Sequence, residues 1–168
     1  RHHRRYDTLE QEAYLNLWRT YDRLKLIEEE LFNTYELSAQ QYNALRLLRA
    51  AEGTGLTVQG IGSKLISRAP DMTRMLDRLE QRGWIARTRR ADNRRVVDVH
   101  ITAAGIQLLD QLSEPICEVH RRQLGHLSPA KLKQFVALLA EARQPLEDPD
   151  CPWAVTVPPR QSPESPAN

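Results

Sequence analysis

One local pattern of apolar and polar residues recurs along the chain and marks where its segments begin. An apolar residue precedes Ser or Thr, and a second apolar residue follows the hydroxyl residue by four positions. The instances are Leu37-Ser38 with Tyr42, Leu56-Thr57 with Ile61, Ile101-Thr102 with Ile106, and Leu127-Ser128 with Leu132. Such a hydroxyl accepts from the free N–H groups of a first helical turn, and the two apolar side chains close over it. Each instance therefore predicts a helix start, and Gln41 adds a capping box to Ser38.

With these starts, and with glycine and proline as stops, the chain is predicted to be mostly helical. Helices are expected over about 6–34, 39–51, 58–66, 70–81 and 129–143, with short strands over about 84–89 and 95–101. A long helix is expected to begin after Thr102. It is predicted to be bent or broken at Pro115, because proline lacks the N–H that continues the helical ladder.

Residues 56–83 have the layout of a helix-turn-helix, in which a short capped helix and a tight connection precede a second, amphipathic helix. One set of its residues recurs at helical spacing and is predicted to face the core: Met72, Met75, Leu76 and Leu79. The opposite side is polar: Thr73, Arg74, Asp77, Arg78 and Gln81. A recognition helix needs an apolar back that fixes it and a polar front that reaches bases and phosphates.

The two predicted strands that follow form a hairpin rich in arginine. Val97, Val99 and Ile101 alternate with polar residues, as in a half-buried strand, and residues 91–93 form the predicted tip. Residues 87–95 hold five arginines and one aspartate, a local charge of +4. Beside a helix-turn-helix such a hairpin is typical of a wing, whose arginines neutralise phosphates or enter a narrow minor groove. Asp92 is placed to hold Arg94.

The whole-chain composition adds little to this picture. The net charge is only +2, so the local distribution of charge says more than the total. No run of about 18 apolar residues is present, and we expect no membrane association. Cys117 and Cys151 form neither a disulfide framework nor a C-x-x-C pair, which fits a cytoplasmic protein. Residues 145–168 hold seven of the ten prolines and are predicted to be a tail.

The sequence resembles the MarR family of bacterial regulators. The matching residues are Leu56-Thr57, Thr73-Arg74, Asp77-Arg78-Leu79-Glu80, Arg82-Gly83, Asp92-x-Arg94-Arg95 and Ile101-Thr102-x-x-Gly105. The resemblance implies a homodimer joined through its first and last helices, with two lobes that read a pseudo-palindromic operator in double-stranded DNA. It also implies repression that a small molecule or oxidation relieves.

Two departures from the family pattern stand out. Gly60 and Gly62 lie inside the predicted supporting helix, where each glycine costs about 0.5–1 kcal/mol. Residues 69–71, Ala-Pro-Asp, open the recognition helix where small hydroxyl residues are more usual. Asp71 suits a helix N-terminus but repels a phosphate, and it can instead accept from a cytosine amino group.

The expected fold is therefore mainly α with a small β-hairpin wing, a winged helix-turn-helix flanked by dimerisation helices. Residues 1–36 would form an N-terminal arm and the first dimerisation helix, and residues 37–105 the DNA-binding domain. Residues 106–144 would form the C-terminal dimerisation helices, and residues 145–168 the Pro-rich tail.

The predicted DNA contacts come from the turn, the recognition helix and the wing. They are Arg68, Ala69, Pro70, Asp71, Thr73, Arg74, Arg78, Arg90, Asp92, Arg94 and Arg95. An effector cavity between the dimer helices and the DNA-binding lobe is predicted at Trp18, Tyr42 and Trp84. The expected effector is an aromatic or anionic compound, and Arg87 would pair with an anionic one. For each ring, ordinary packing in the core is the alternative.

Two other functions compete with DNA reading. In the first alternative, the winged helix is a protein-interaction or dimerisation module that does not bind specific DNA. Such a module needs no arginine-tipped hairpin. An enzyme would need an unseen metal or redox site at Cys117 and His120, three residues apart. We expect instead that Cys117 is a small buried hydrophobe and that His120 is a surface or interface residue. No phosphate loop, nucleophile elbow or paired carboxylates are found, so no enzyme activity and no cofactor are expected.

Overall fold

The computed structural model describes residues 6–67, 69, 71–90, 93 and 95–147. Its helices and strands are α1 (Leu9–Thr34), α2 (Ala39–Ala50), β1 (Leu56–Thr57), α3 (Val58–Lys64), α4 (Met72–Gln81), β2 (Ile85–Arg89), β3 (Val97–Ile101), α5 (Ala103–Leu124) and α6 (Pro129–Arg143). The chain divides into two compact units, Arg1–His126 and Leu127–Asn168. The expected mainly helical fold with a small antiparallel sheet is confirmed.

The four predicted helix starts are confirmed by their hydrogen bonds. Ser38, Thr57, Thr102 and Ser128 are N-caps, and the side chain of each accepts from a backbone N–H in the first turn. At Ser38 the capping box is complete, because Gln41 accepts in return from the Ser38 N–H at 2.8 Å. Local cap chemistry therefore defines where four of the helices begin.

Two other helices begin later than predicted, because a different residue caps each of them. Helix α1 starts at Leu9 rather than near Tyr6, since the Thr8 hydroxyl accepts from the Gln11 N–H at 3.1 Å. Helix α4 starts at Met72 rather than near Pro70, since the Asp71 carboxylate accepts from the Arg74 N–H at 2.9 Å.

Helix α5 runs unbroken through Pro115, so the predicted break is wrong. A proline inside a helix costs about 3 kcal/mol through the lost hydrogen bond and the ring clash. Packing outweighs that cost, because the helix buries an apolar face on both sides of the proline: Leu108, Leu109, Leu112, Ile116 and Val119.

The sheet has three strands rather than the two predicted. It is antiparallel with the order β1-β3-β2, and Leu56 pairs with Val99 while Ile85 pairs with Ile101. Strand β1 is only two residues long and exists through its pairing with β3, so its own sequence carries little signal for it. Ile85 and Val99 are buried, and they connect the sheet to the helical core.

The core of the first unit lies between the helix-turn-helix, the sheet and helices α1 and α5. Its largest fully buried side chains are Phe32, Leu45, Leu48, Ile61, Leu76, Leu79, Leu112 and Val99. The recognition helix is therefore fixed from behind by residues of several elements.

A close approach joins the wing to helix α5. The Thr102 hydroxyl donates to the Gly83 carbonyl at 2.6 Å and accepts from the Gly105 N–H at 3.2 Å. A Cβ on Gly105 would lie 2.3 Å from the Trp84 carbonyl oxygen, closer than any side chain allows. The Ile101-Thr102-x-x-Gly105 motif thus brings the start of α5 against the backbone between α4 and β2.

The second unit consists, in its described part, of α6 and a short 3₁₀ turn at Gln144–Leu146. The predicted start of α6 at Pro129 and its end at Arg143 are confirmed. Most of the predicted Pro-rich tail, residues 148–168, lies outside the described residues. Among the helices that are described, none is both long and apolar enough to cross a membrane.

Candidate nucleic-acid interface

The recognition helix α4 has the two faces that its sequence predicts. Met75, Leu76 and Leu79 are buried and Met72 packs against the same core. Thr73, Arg74 and Arg78 are exposed on the other side, with Gln81 at the end of the helix. The polar front is thus presented to solvent on a helix that its apolar back immobilises.

The entry to α4 is set by Asp71, whose carboxylate caps the helix. One of its oxygens is engaged with the Arg74 N–H, which leaves the other available to a donor. Ala69 packs against the core. Arg68 and Pro70, two further predicted DNA contacts, lie outside the described residues.

Arg74 and Arg78 lie one helical turn apart and flank a groove beside the N-terminus of α2. The groove has a volume of about 290 Å³ and is lined by Ser38, Gln40, Gln41, Ala69, Asp71, Arg74, Met75 and Arg78. Within the described part of the chain, neither guanidinium is paired with a carboxylate. Two uncompensated positive charges therefore lie on the exposed front of the recognition helix.

The opposite flank of α4 is acidic and is held by Arg87 of β2. The Arg87 guanidinium donates to Asp77 at 2.6 Å, lies 3.4 Å from Glu80, and reaches the Thr73 carbonyl at 3.5 Å. The backbone N–H of Arg87 donates to Glu80 at 3.2 Å. We refer to Arg87, Asp77 and Glu80 as the clasp, since they join the recognition helix to the wing.

A second ion pair lies within the wing. Arg90 donates to both carboxylate oxygens of Asp98, at 2.6 and 2.9 Å. These hydrogen bonds hold the pKa of Asp98 below its ordinary value. Because Arg87 and Arg90 both have internal partners, the predicted wing charge of +4 overstates what the hairpin offers to DNA. Asp98 lies just beyond residues 87–95, over which that charge is counted.

Of the remaining wing arginines, Arg89 and Arg95 lie within the described residues and Arg94 does not. Arg89 and Arg95 are exposed, and their guanidinium groups have no carboxylate partner among the described residues. At the tip, Asn93 accepts from the backbone N–H groups of Arg95 and Val96 at 3.1 and 2.9 Å, which tightens the turn. Asp92 and Arg94 lie outside the described residues, so their pairing stays a prediction.

The four predicted effector residues have separate neighbours in the structure. Trp18 is exposed on α1 beside Tyr14. Tyr42 packs against Phe32, with ring centroids 5.1 Å apart. Arg82 lies over the Trp84 ring at 5.0 Å, and Arg87 belongs to the clasp. The described residues of one chain do not bring these four side chains together around one cavity.

Cys117 is exposed, so the prediction of a small buried hydrophobe is wrong. The helix turns this position outward, while Ile116 and Val119 beside it are buried. His120 is exposed as well, and its ring pairs with Gln123 at 3.0 Å. Among the described residues, no group of three or more His, Cys, Asp or Glu side chains could hold a metal ion.

Two contacts that position the helices are not predicted by the sequence. Buried Asn43 of α2 accepts from the Ile66 N–H at 3.1 Å and so fixes the turn that follows α3. Arg82 pairs with Glu36, in the turn between α1 and α2, while it stacks on Trp84. In both cases the partners are distant in sequence; the one available signal was Asn43, a polar residue within an otherwise apolar helix face.

Comparison with known proteins agrees with this geometry. A model of the MarR family matches residues 37–97. The crystal structure of a MarR transcription factor from Planctomyces limnophilus is 54% identical, covers 80% of this chain and 98% of its own, and has a TM-score of 0.65.

Two more distant structures share the fold. The S. aureus MepR–DNA complex is 24% identical over 79% of this chain and 98% of that chain, with a TM-score of 0.70. Bordetella bronchiseptica BpsR, whose DNA binding is regulated by 6-hydroxynicotinic acid, is 24% identical over 85% of this chain and 99% of that chain, with a TM-score of 0.72. With its helix-turn-helix, its wing and its 54% identity to a MarR transcription factor, the chain belongs to the MarR family and is a DNA-binding transcription regulator.

Proposed function

We propose that this regulator represses transcription in the cytoplasm as a homodimer on a pseudo-palindromic operator, and that a small molecule releases it. Residues 37–105 would read DNA, while residues 1–36 and 106–144 would join the two copies. Two recognition helices would then enter successive major grooves about 34 Å apart.

The observation that carries the proposal is that two arginines on α4 have no carboxylate partner within the part of the chain that the structure describes. Arg74 and Arg78 are exposed on a helix whose other face is buried, so their positions are fixed while their charges stay uncompensated. Arginine at the front of such a helix can donate two hydrogen bonds to a guanine edge or contact a phosphate. Thr73 and the free oxygen of Asp71 would complete the reading surface.

The wing would contact the DNA backbone beside the recognition helix. Arg89 and Arg95 are exposed and suit phosphate contacts, which fix the register of the protein on the duplex. Arg94 is proposed to reach the minor groove, held by Asp92. Arg90 would act mainly through Asp98, since both of its hydrogen bonds to that carboxylate keep the wing strands together.

The exposed apolar residues of α1 support self-association. Tyr14, Trp18 and Tyr21 follow helical spacing, and each is about 60% exposed (63%, 60% and 61%). Leu17 is exposed beside them on the same helix. A stripe of this size on a charged helix is a binding surface, and a second copy of α1 presents a matching stripe.

An aromatic or anionic effector would bind between the dimerisation helices and the DNA-binding lobe. Half-burial raises the pKa of both Glu28 on α1 and Tyr42 on α2, and the two groups interact electrostatically. These two half-buried polar groups would face the effector, with Trp18 and Trp84 brought to the same site as the dimer forms. Arg87 already has two carboxylate partners, so an anion would have to compete with Asp77.

Quenching of tryptophan fluorescence by 6-hydroxynicotinic acid or benzoate would test this cavity.

DNA reading can be tested by fluorescence anisotropy on an operator selected from a random duplex library with the wild-type protein. Arg74→Ala and Arg78→Ala should each weaken binding to the selected operator by about 1–3 kcal/mol, and affinity should fall steeply with salt. Arg49→Ala removes the same charge at the far end of α2, from an exposed pair with Asp110, and should leave binding unchanged.

Two outcomes would contradict the proposal. One is a wild-type protein that binds the selected and random duplexes equally; the other is Arg74→Ala binding with wild-type affinity. Either result would favour a winged helix that serves only protein association, for which the comparisons offer no support.

A further inference from the structure

The recognition helix carries two carboxylates on a surface that has to approach DNA. Asp77 and Glu80 are 47% and 41% exposed, so both are within reach of solvent and of an approaching phosphate backbone. Like charges brought together across an interface disfavour association. Neither carboxylate belongs to the apolar back of α4, so the packing of the helix does not require them.

Arg87 faces both carboxylates from the neighbouring strand. Its guanidinium lies 2.6 Å from Asp77 and 3.4 Å from Glu80, and only 23% of its side chain is exposed. Its Nε is buried and finds no acceptor among the described residues, so the group is drawn into the clasp at the cost of one unmade hydrogen bond. A guanidinium that is this enclosed is poorly placed to contact DNA itself.

We propose that Arg87 is an internal counter-ion that makes the acidic flank of the recognition helix compatible with DNA. This inference rests on the proposed DNA-binding function. Arg87 offsets one of the two negative charges of Asp77 and Glu80 and lies between them. The remaining negative charge of the clasp is then outweighed by Arg74 and Arg78 on the opposite flank, which dominate the charge that the DNA meets. It acts on DNA binding through the two carboxylates and is therefore a positioning residue.

A double-mutant cycle tests this role. Operator affinity is measured for the wild type, Arg87→Gln, Asp77→Asn/Glu80→Gln, and the triple variant. Arg87→Gln should weaken binding about tenfold or more in the wild-type background, because two uncompensated carboxylates then face the DNA. In the Asp77→Asn/Glu80→Gln background the same substitution should change affinity by less than about twofold, because no negative charge is left to cancel.

Arg89→Gln is the matched control, since it removes the same charge from the same strand but from an exposed arginine. Its effect should be the same in both backgrounds, because Arg89 has no partner in the clasp. The deficit of Arg87→Gln should also shrink as salt screens the repulsion over a Debye length of about 8 Å near physiological ionic strength. Thermal unfolding of each variant reports separately on whether it is folded. Arg87→Gln is expected to fold, because Asp77 and Glu80 are exposed enough to be solvated by water once Arg87 is removed.

The outcomes separate this inference from the function on which it rests. If Arg87→Gln loses as much affinity in the neutral background as in the wild type, or loses none in either, the counter-ion role is wrong. If the wild type shows no preference for the selected operator, the proposed function itself fails. If Arg87→Gln does not fold, Arg87→Lys decides instead, because lysine keeps the positive charge beside Asp77 and Glu80: its operator affinity should stay within about threefold of the wild type, and a tenfold loss in folded Arg87→Lys would overturn the inference.

Discussion

At the scale of single residues, the junction between the wing and helix α5 depends on two small residues, Thr102 and Gly105. Thr102 joins Gly83 to Gly105 through one hydroxyl, and Gly105 allows the helix to touch the Trp84 carbonyl. The family motif that contains them is therefore explained by a close contact between backbones. The recognition helix and α5 are connected there without any long side chain between them.

Gly105→Ala should destabilise the protein by about 1–3 kcal/mol or more, because the new methyl group would overlap the Trp84 carbonyl oxygen. Urea unfolding at neutral pH would measure the change. Gly62→Ala is the matched control: its Cβ would lie 3.6 Å from the Met72 methyl group, an ordinary contact. That substitution should stabilise α3 by about 0.5–1 kcal/mol, and equal destabilisation by both would contradict the argument.

At the scale of elements, the caps could be predicted because they are local. Ser38, Thr57, Thr102 and Ser128 each bond to a backbone group three residues ahead, so sequence alone holds the information. Strand β1 could not be predicted, because two residues become a strand only through pairing with β3. The carboxylate partners of Arg87 and Arg90 could not be predicted for the same reason. The alternation of apolar and polar residues assigns a side chain to one face of a strand, but it does not identify the carboxylate that the side chain contacts.

The wing should lose stability in acid through Asp98. Since the pKa of Asp98 is lowered in the folded state by Arg90, the pair contributes stability at pH values above the ordinary pKa of aspartate and loses it as the pH falls through the folded pKa. Amide hydrogen exchange of β2 and β3 would follow the opening of the wing.

Asp98→Asn should match the wild type in strong acid and show faster exchange than the wild type at neutral pH. Arg90→Gln should remove the same pH dependence, because it deletes the other partner of the pair. Identical exchange of Asp98→Asn and the wild type at neutral pH would refute the role of this ion pair.

At the scale of the whole molecule, one copy has one recognition helix, and in the proposed homodimer the affinity for a two-fold operator would come from joining two. The second half-site on the same duplex would then be bound at the effective concentration set by the dimer, which would raise the affinity by about 10²–10⁴. The exposed aromatic residues of α1 are the residues on which this gain would depend.

Trp18→Glu should shift the protein to monomers and weaken operator binding by about a hundredfold, because a charge is introduced into the apolar stripe of α1. Analytical ultracentrifugation and anisotropy would report the two effects. Asn16→Glu places the same charge on the opposite side of the same exposed helix and should change neither. A Trp18→Glu variant that remains dimeric would contradict the proposed interface.

Because α5 is unbroken, its whole length is joined as one helix to the contact at Thr102. A helix of 22 residues is about 33 Å long, so a tilt of about 5° about its first turn moves its far end by roughly 3 Å. Conversely, if α5 tilted as a rigid rod, a displacement of about 1.5–3 Å at its far end would correspond to a rotation of a few degrees at its junction with Gly83 and Trp84. A break at Pro115 would have divided this length roughly in half, whereas a continuous helix would carry the whole angle to the backbone at Trp84.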